Sequence, residues 1–189
     1  MSSRAREVAG MVAGRRVRDV LVPGWIDRDD DVPEFRPQPL VVWLRLDEGL
    51  VRFASEGQYD HLTARQVTAA DWSDVELLAE AEDEVVLASC GEQLFGDGRD
   101  EWSCTAVRAY VSGVRAGAAT AAGAPAPVMR SLALDFTGGH SLFLDPVWTF
   151  GIRLGNRADE ADWVAKHGNA TVLEALRPTA PVHQQTPHL

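Results

Sequence analysis

The feature that most limits what this chain can fold into is a unit that recurs about ninety residues further on. Setting Val17 against Val107 brings Val42, Leu44 and Leu46 onto Leu132, Leu134 and Phe136, and Asp47-Glu48-Gly49 onto Thr137-Gly138-Gly139. One inserted residue later, Val51 and Phe53 meet Leu142 and Leu144, and Ala70-Asp71-Trp72 meets Ala161-Asp162-Trp163. A repeated unit dictates architecture and supplies no chemistry. Alternating strands also resemble one another by necessity, so the sequence alone leaves duplication and convergent patterning both open. If it is a duplication, the units run over 15–90 and 101–177 and pack as two similar β-units about a pseudo-twofold axis.

Alternation carries most of the local reading. Val42, Leu44 and Leu46 share one face of a strand over 40–46, the Asp47-Glu48-Gly49 turn reverses the chain, and Val51 and Phe53 return. Strands are also expected over 17–22 (ended by Pro23-Gly24), 84–90, 102–111, 129–136, 141–144 and 148–154. Short helices are expected over 3–13, near 74–81 behind a Ser73-x-x-Glu76 capping box, and over 159–166. The Ala/Gly stretch 116–124 reads as a loop. The class is α+β, mainly antiparallel β with a few short helices. Residues 1–177 form one compact domain, and 178–189, with three prolines and no apolar pattern, form a disordered tail.

The 189 residues carry a net charge of −10, unevenly spread. Residues 1–22 sum to +3, residues 23–101 to −14 and residues 102–189 to +1. Such a field opposes nucleic-acid binding, which needs cations to displace phosphate counterions. It favours a basic partner, or simply solubility. No apolar run is long enough to cross a membrane as a helix, and the Arg-bearing start is unlike a secretory signal, so cytoplasmic residence is expected. Lys166 is the only lysine among many arginines, a bias expected of a GC-rich bacterial genome.

Few residues offer chemistry. Asp27, Asp29 and Asp31 have the spacing that opens many calcium loops, but Val32 stands where glycine is needed and Gln38 where a bidentate Glu is needed. No metal or cofactor is expected. A hairpin turning about Asp97 would set Cys90 against Cys104 as a thiol pair, close enough for a disulfide; the bland alternative is two small half-buried residues. Asp60-His61, near Glu56, could act as a base, yet no nucleophile motif accompanies it.

The binding candidates are therefore Trp25, Asp27, Asp29, Asp30, Asp31, Glu34, Asp60 and His61. An exposed Trp25 beside carboxylates would anchor a basic protein surface. The first functional expectation is a non-enzymatic bacterial protein-binding module, of which an immunity- or antitoxin-like inhibitor is one kind, with its acids over 27–34, 47–60 and 71–101. A small-molecule enzyme or sensor with a pocket between the β-units is the second. A structural homodimeric subunit is the third.

Overall fold

The computed structural model describes residues 3–28, 31–57, 60–112, 127–148, 151–168 and 171–176. The expectations for 116–124 and for the tail at 178–189 lie outside them. Helix α1 (Ser3–Val12) leads into β1 (Arg16–Asp27), β2 (Glu34–Pro37), β3 (Val41–Leu46), β4 (Leu50–Glu56) and β5 (His61–Val67). Helix α2 (Glu76–Ala79), β6 (Val85–Ser89) and helix α3 (Gly91–Phe95) follow. The second half runs β7 (Trp102–Ser112), β8 (Val128–Phe136), β9 (Ser141–Trp148), β10 (Gly151–Gly155), α4 (Arg157–His167) and β11 (Thr171–Leu176). The protein is mainly antiparallel β with a few short helices.

All eleven strands join one sheet in the order β10-β9-β8-β7-β1-β3-β4-β5, with β2 and β6 also on β1 and β11 on β7. Strands β1 and β7 touch only at their starts, through Arg16–Ser103 and Val17–Trp102. Beyond that point they part, β6 pairing along β1 and β11 along β7. The sheet curls so that β5 lies against β8, β4 against β9 and β3 against β10.

The ladders of the two halves have matching registers. In one, Val17–Leu46 is followed by a bulge and then Asp19–Arg45, Val20–Leu44 and Leu21–Trp43. In the other, Cys104–Phe136 is followed by a bulge and then Ala106–Asp135, Val107–Leu134 and Arg108–Ala133. Ladder position thus sets Val20, not Val17, beside Val107. The hairpins keep the sequence correspondence: Leu44–Val51 matches Leu134–Leu142, and Val42–Phe53 matches Leu132–Leu144. The tight turn after β3 places Gly49 at φ 75°, which glycine adopts without the Cβ penalty.

One continuous core fills the inside of the curl, with Val20, Val42, Leu44 and Phe53 meeting Val107, Leu132, Leu134 and Leu144. Helix α1 joins it because Ala5, Val8, Ala9 and Val12 recur at helical spacing and are all buried. Each fully buried aliphatic side chain contributes about 1.5–3 kcal/mol. The halves meet backbone to backbone where Ile152 N donates to Pro39 O at 2.7 Å. A Cβ on Gly151 would lie 2.6 Å from that oxygen, so only glycine admits the contact.

Four local expectations are corrected. Strand β1 runs through Pro23-Gly24 instead of stopping, because Pro23 sits where β1 needs no N–H toward β6, and its carbonyl accepts from Gln38 N at 2.8 Å. The stretch behind it, which reads from sequence as a polar loop from Asp27 to Pro39, contains a strand, β2. Helix α2 begins at Val75 without a side-chain cap, and Ser73 N is held by Asp71 Oδ1 instead, so the capping box is not formed. Strands β6 and β7 make no hairpin: β6 pairs with β1, and α3 occupies the turn.

Candidate functional site

Among the described residues, the acidic groove is assembled at the outer face of the first half. Along β1 and β6, Trp25–Val85, Pro23–Leu87 and Leu21–Ser89 are cross-strand pairs on one face. Leu21 and Val85 belong to an outer cluster with Trp43, Trp72, Val75 and Leu78, where Trp72 meets the fully buried Trp43 edge-on at 6.5 Å. Helix α2 covers only part of this face, since four residues bury one side chain, Leu78. What remains is an open groove of about 480 Å³ lined by Trp25, Leu77, Ala81, Glu76, Glu80, Glu82 and Asp83. Leu77 is 55% exposed there, and Leu87 is exposed on the neighbouring strand.

The groove acids differ in their pairing from Asp27, Glu34, Asp47 and Asp74. Glu76, Glu80, Glu82 and Asp83 form no ion pair with any described residue. By contrast, Arg36 holds Asp27 at 3.2 Å and Glu34 at 3.0 Å. Arg15 holds Asp47 at 2.8 Å, and the guanidinium lowers that carboxyl's pKa. Arg52, 9% exposed, and Arg65 share Asp74.

Of the residues singled out from sequence, only Trp25 reaches the groove. Asp27 and Glu34 face each other across β1 and β2 and share Arg36 there. Asp31 is exposed, and Asp29 and Asp30 lie outside the described residues. Asp60 and His61 sit at the start of β5, the far end of the strand order from β7. Here Asp60 Oδ1 lies 2.7 Å from His61 Nδ1, Arg130 approaches Asp60 at 3.3 Å and Glu56 approaches His61 Nε2 at 3.7 Å. The hydrogen bond with His61 leads in lowering the Asp60 pKa. The arrangement ties β5 to β8, and Thr63 Oγ1 donates to Glu56 at 3.0 Å beside it.

Cys90 and Cys104 are free and not opposed. Cys104 faces Phe136 in the β7–β8 ladder, whereas Cys90 lies between β6 and α3. Burial pushes the Cys104 thiol up to about 12 and raises that of Cys90, so neither is a ready thiolate.

Two further features escaped the sequence reading. The first is an ionic network under α4: Arg108 binds Glu160 and Asp135, Tyr110 donates to Glu160 at 2.7 Å, and Arg157 reaches Asp135 at 2.7 Å. The second is a largely apolar groove of about 450 Å³ between the halves, with Val22, Pro39, Leu94, Ile152 and Leu154 along it and Gln93 and Arg153 as its polar groups. Among the described residues no group of His, Cys, Asp and Glu is arranged to hold a metal ion, and no helix is long and apolar enough to cross a membrane. Comparison with protein-family models, curated proteins and solved structures finds no match to this chain.

Proposed function

We propose that this chain is a non-enzymatic protein-binding module whose Trp25 groove seats a basic segment of a partner protein. The observation that carries the reading is the coincidence of apolar surface, half-buried Trp25 and exposed Leu77, with four carboxylates that pair with no described cation. An apolar centre with a charged rim is the anatomy of a protein interface. The indole face adds affinity for a guanidinium or ammonium group. An inhibitor of the immunity or antitoxin kind, which must cover a basic nucleic-acid-binding site, has this chemistry. The two free thiols fit a reducing compartment such as the cytoplasm.

On the same reading the module is two copies of one β-unit about a pseudo-twofold axis. Its support is the shared bulge after Val17–Leu46 and Cys104–Phe136, and the parallel placement of β6 on β1 and β11 on β7. The groove is then the place where the copies differ most.

The test begins with capture of a basic partner by the full chain and purification of that partner. Titration of the partner against wild type and a Glu76→Gln/Glu80→Gln/Glu82→Gln/Asp83→Asn variant follows, at low and high salt. Binding should weaken at least about tenfold in the variant and fall steeply with salt. Affinity indifferent to both overturns the reading.

A second reading rests on the groove between the halves, whose apolar walls suit a small apolar ligand more than catalysis. Saturable binding of a fluorescent apolar probe, abolished by Leu154→Arg, supports it; no binding removes it.

A further inference from the structure

The open edge of β6 lies beside the acidic groove, and its composition sets it apart. Sheet edges are templates for pairing, and proteins blunt them with charges, prolines or bulges. Strand β5 carries Arg65, β10 carries Arg153, β2 carries Glu34, Arg36 and Pro37, and β11 carries Glu174. Strand β6, Val-Val-Leu-Ala-Ser, carries neither a charge nor a proline. Among the described residues it pairs with β1 alone.

The ladder fixes which backbone groups are open. Cys90 N donates to Val20 O at 2.8 Å, so the bonded positions on β6 alternate back through Ala88 and Val86. Pro23, which has no N–H, faces Leu87 at a non-bonded position, in agreement. The N–H and C=O groups of Val85, Leu87 and Ser89 therefore point away from β1. Their side chains share the face of Trp25, and Leu87 is exposed there.

We infer that a basic partner segment binds in extended form as an added strand on β6, its backbone paired with Val85 and Leu87. This rests on the protein-binding reading above and specifies how the partner is held. Main-chain hydrogen bonds give such a complex its affinity, and alternate side chains give it specificity. Here the guest's alternate side chains fall toward Leu87 and Leu77, and its cations toward Glu80, Glu82 and Asp83, which precede the strand; Glu84 is already paired with Arg28. Charge selects the occupant: a second copy of this chain would bring a like-charged segment to the same edge, whereas an Arg-rich strand is complementary.

A seven-residue peptide alternating Arg and Val is the probe, with a copy N-methylated at alternate backbone positions. Titration into the full chain, with amide hydrogen exchange, should give saturable, salt-sensitive binding and slowed exchange at Val85 and Leu87. N-methylation should weaken binding about tenfold or more, since each lost pair of backbone bonds matters at that level. Leu87→Lys, a change at an exposed side chain, should abolish binding with unchanged thermal stability. Equal affinity for the methylated peptide, with shifts confined to the Trp25 groove, overturns the added strand and leaves the groove reading standing. No binding by either peptide at low salt overturns both. A dimer of the chain that Leu87→Lys dissociates gives the edge to a second copy and overturns the inference.

Discussion

The outer faces of the two halves are covered in different ways. After β10, α4 runs eleven residues, is capped by Asn156 and Asp159 in a reciprocal box, and buries Glu160 and Trp163 on the sheet. After β5, the chain yields a four-residue helix, buries Leu78 and leaves Leu77 and Trp25 at the surface. The difference teaches how to read charge in this molecule. Acids under α4 are consumed by Arg108 and Arg157 and serve the fold. Asp74, just before α2, is likewise held by Arg52 and Arg65, whereas Glu76, Glu80, Glu82 and Asp83 pair with no described cation.

Removing the cation under α4 is the largest expected effect. Arg108 lies at the ladder position that Leu21 holds in the first half, and the Arg108 side chain is 14% exposed. Its hydrogen bonds to Glu160 and then to Asp135 raise its pKa, so it stays charged at any accessible pH. Arg108→Met strands Glu160, leaves Asp135 to Arg157 alone, and should cost about 3–5 kcal/mol in denaturant unfolding. Replacing the set together, Arg108→Leu with Glu160→Leu and Asp135→Asn, should recover most of the loss, because the other half fills this place with Leu21. A single-variant loss below about 1 kcal/mol breaks the distinction between structural and available charge.

Trp163 and Trp72 come next. Trp163 is 5% exposed and stacks among Tyr110, Phe143 and His167, whereas Trp72 is half-buried against Trp43. Trp163→Ala should cost about 3–5 kcal/mol, and Trp72→Ala roughly half as much. Equal losses by thermal or denaturant unfolding would show that the short α2 face is as tightly packed as the α4 face.

Those same residues mark how far sequence reasoning reaches. The hairpins after Leu46 and Phe136 were legible because alternation and a glycine turn are local signals, and so were α1 and α4. Strand β5 was not, since only Leu62 in it is fully buried and His61, Thr63, Arg65 and Gln66 mask the alternation. The β6–β7 hairpin misled because a plausible local pairing lost to a long-range one with β1. The pairing of Asp27 and Glu34 was hidden for a related reason. Arg36 is a near neighbour in sequence, but only the register Trp25–Arg36, Asp27–Glu34 places it between the carboxylates. Trp25 was found from its setting, whereas the openness of the groove depends on where α2 stops.

Acid titration sharpens the comparison at an intermediate level. Burial pushes the Asp135 carboxyl up, but Arg108 and Arg157 outweigh it and hold its pKa below the ordinary value. The unfolded group titrates near about 3.9. The stabilisation is thus complete above that pH and is lost as pH falls through the lower folded value. Wild type should lose stability more steeply below about pH 4 than Asp135→Asn, whose curve starts lower and runs flatter.

The smallest effect tests the registers themselves. Cys104 pairs with Phe136 just before the β7 bulge, as Val17 pairs with Leu46 just before the β1 bulge. Both side chains are buried in the same core, and the thiol's one polar contact is a weak 3.6 Å approach to Ala106 O. A buried, un-ionised thiol behaves as a small apolar group. Cys104→Val should therefore be nearly neutral, within about 1 kcal/mol, as volume-conserving core changes are. The native variant should still show one slowly reacting thiol, Cys90, while wild type exposes Cys104 to reagent only on unfolding. A loss well beyond that figure would mean that the space beside Phe136 is shaped differently from the space beside Leu46. The two ladders would then share a hydrogen-bond register without sharing a core.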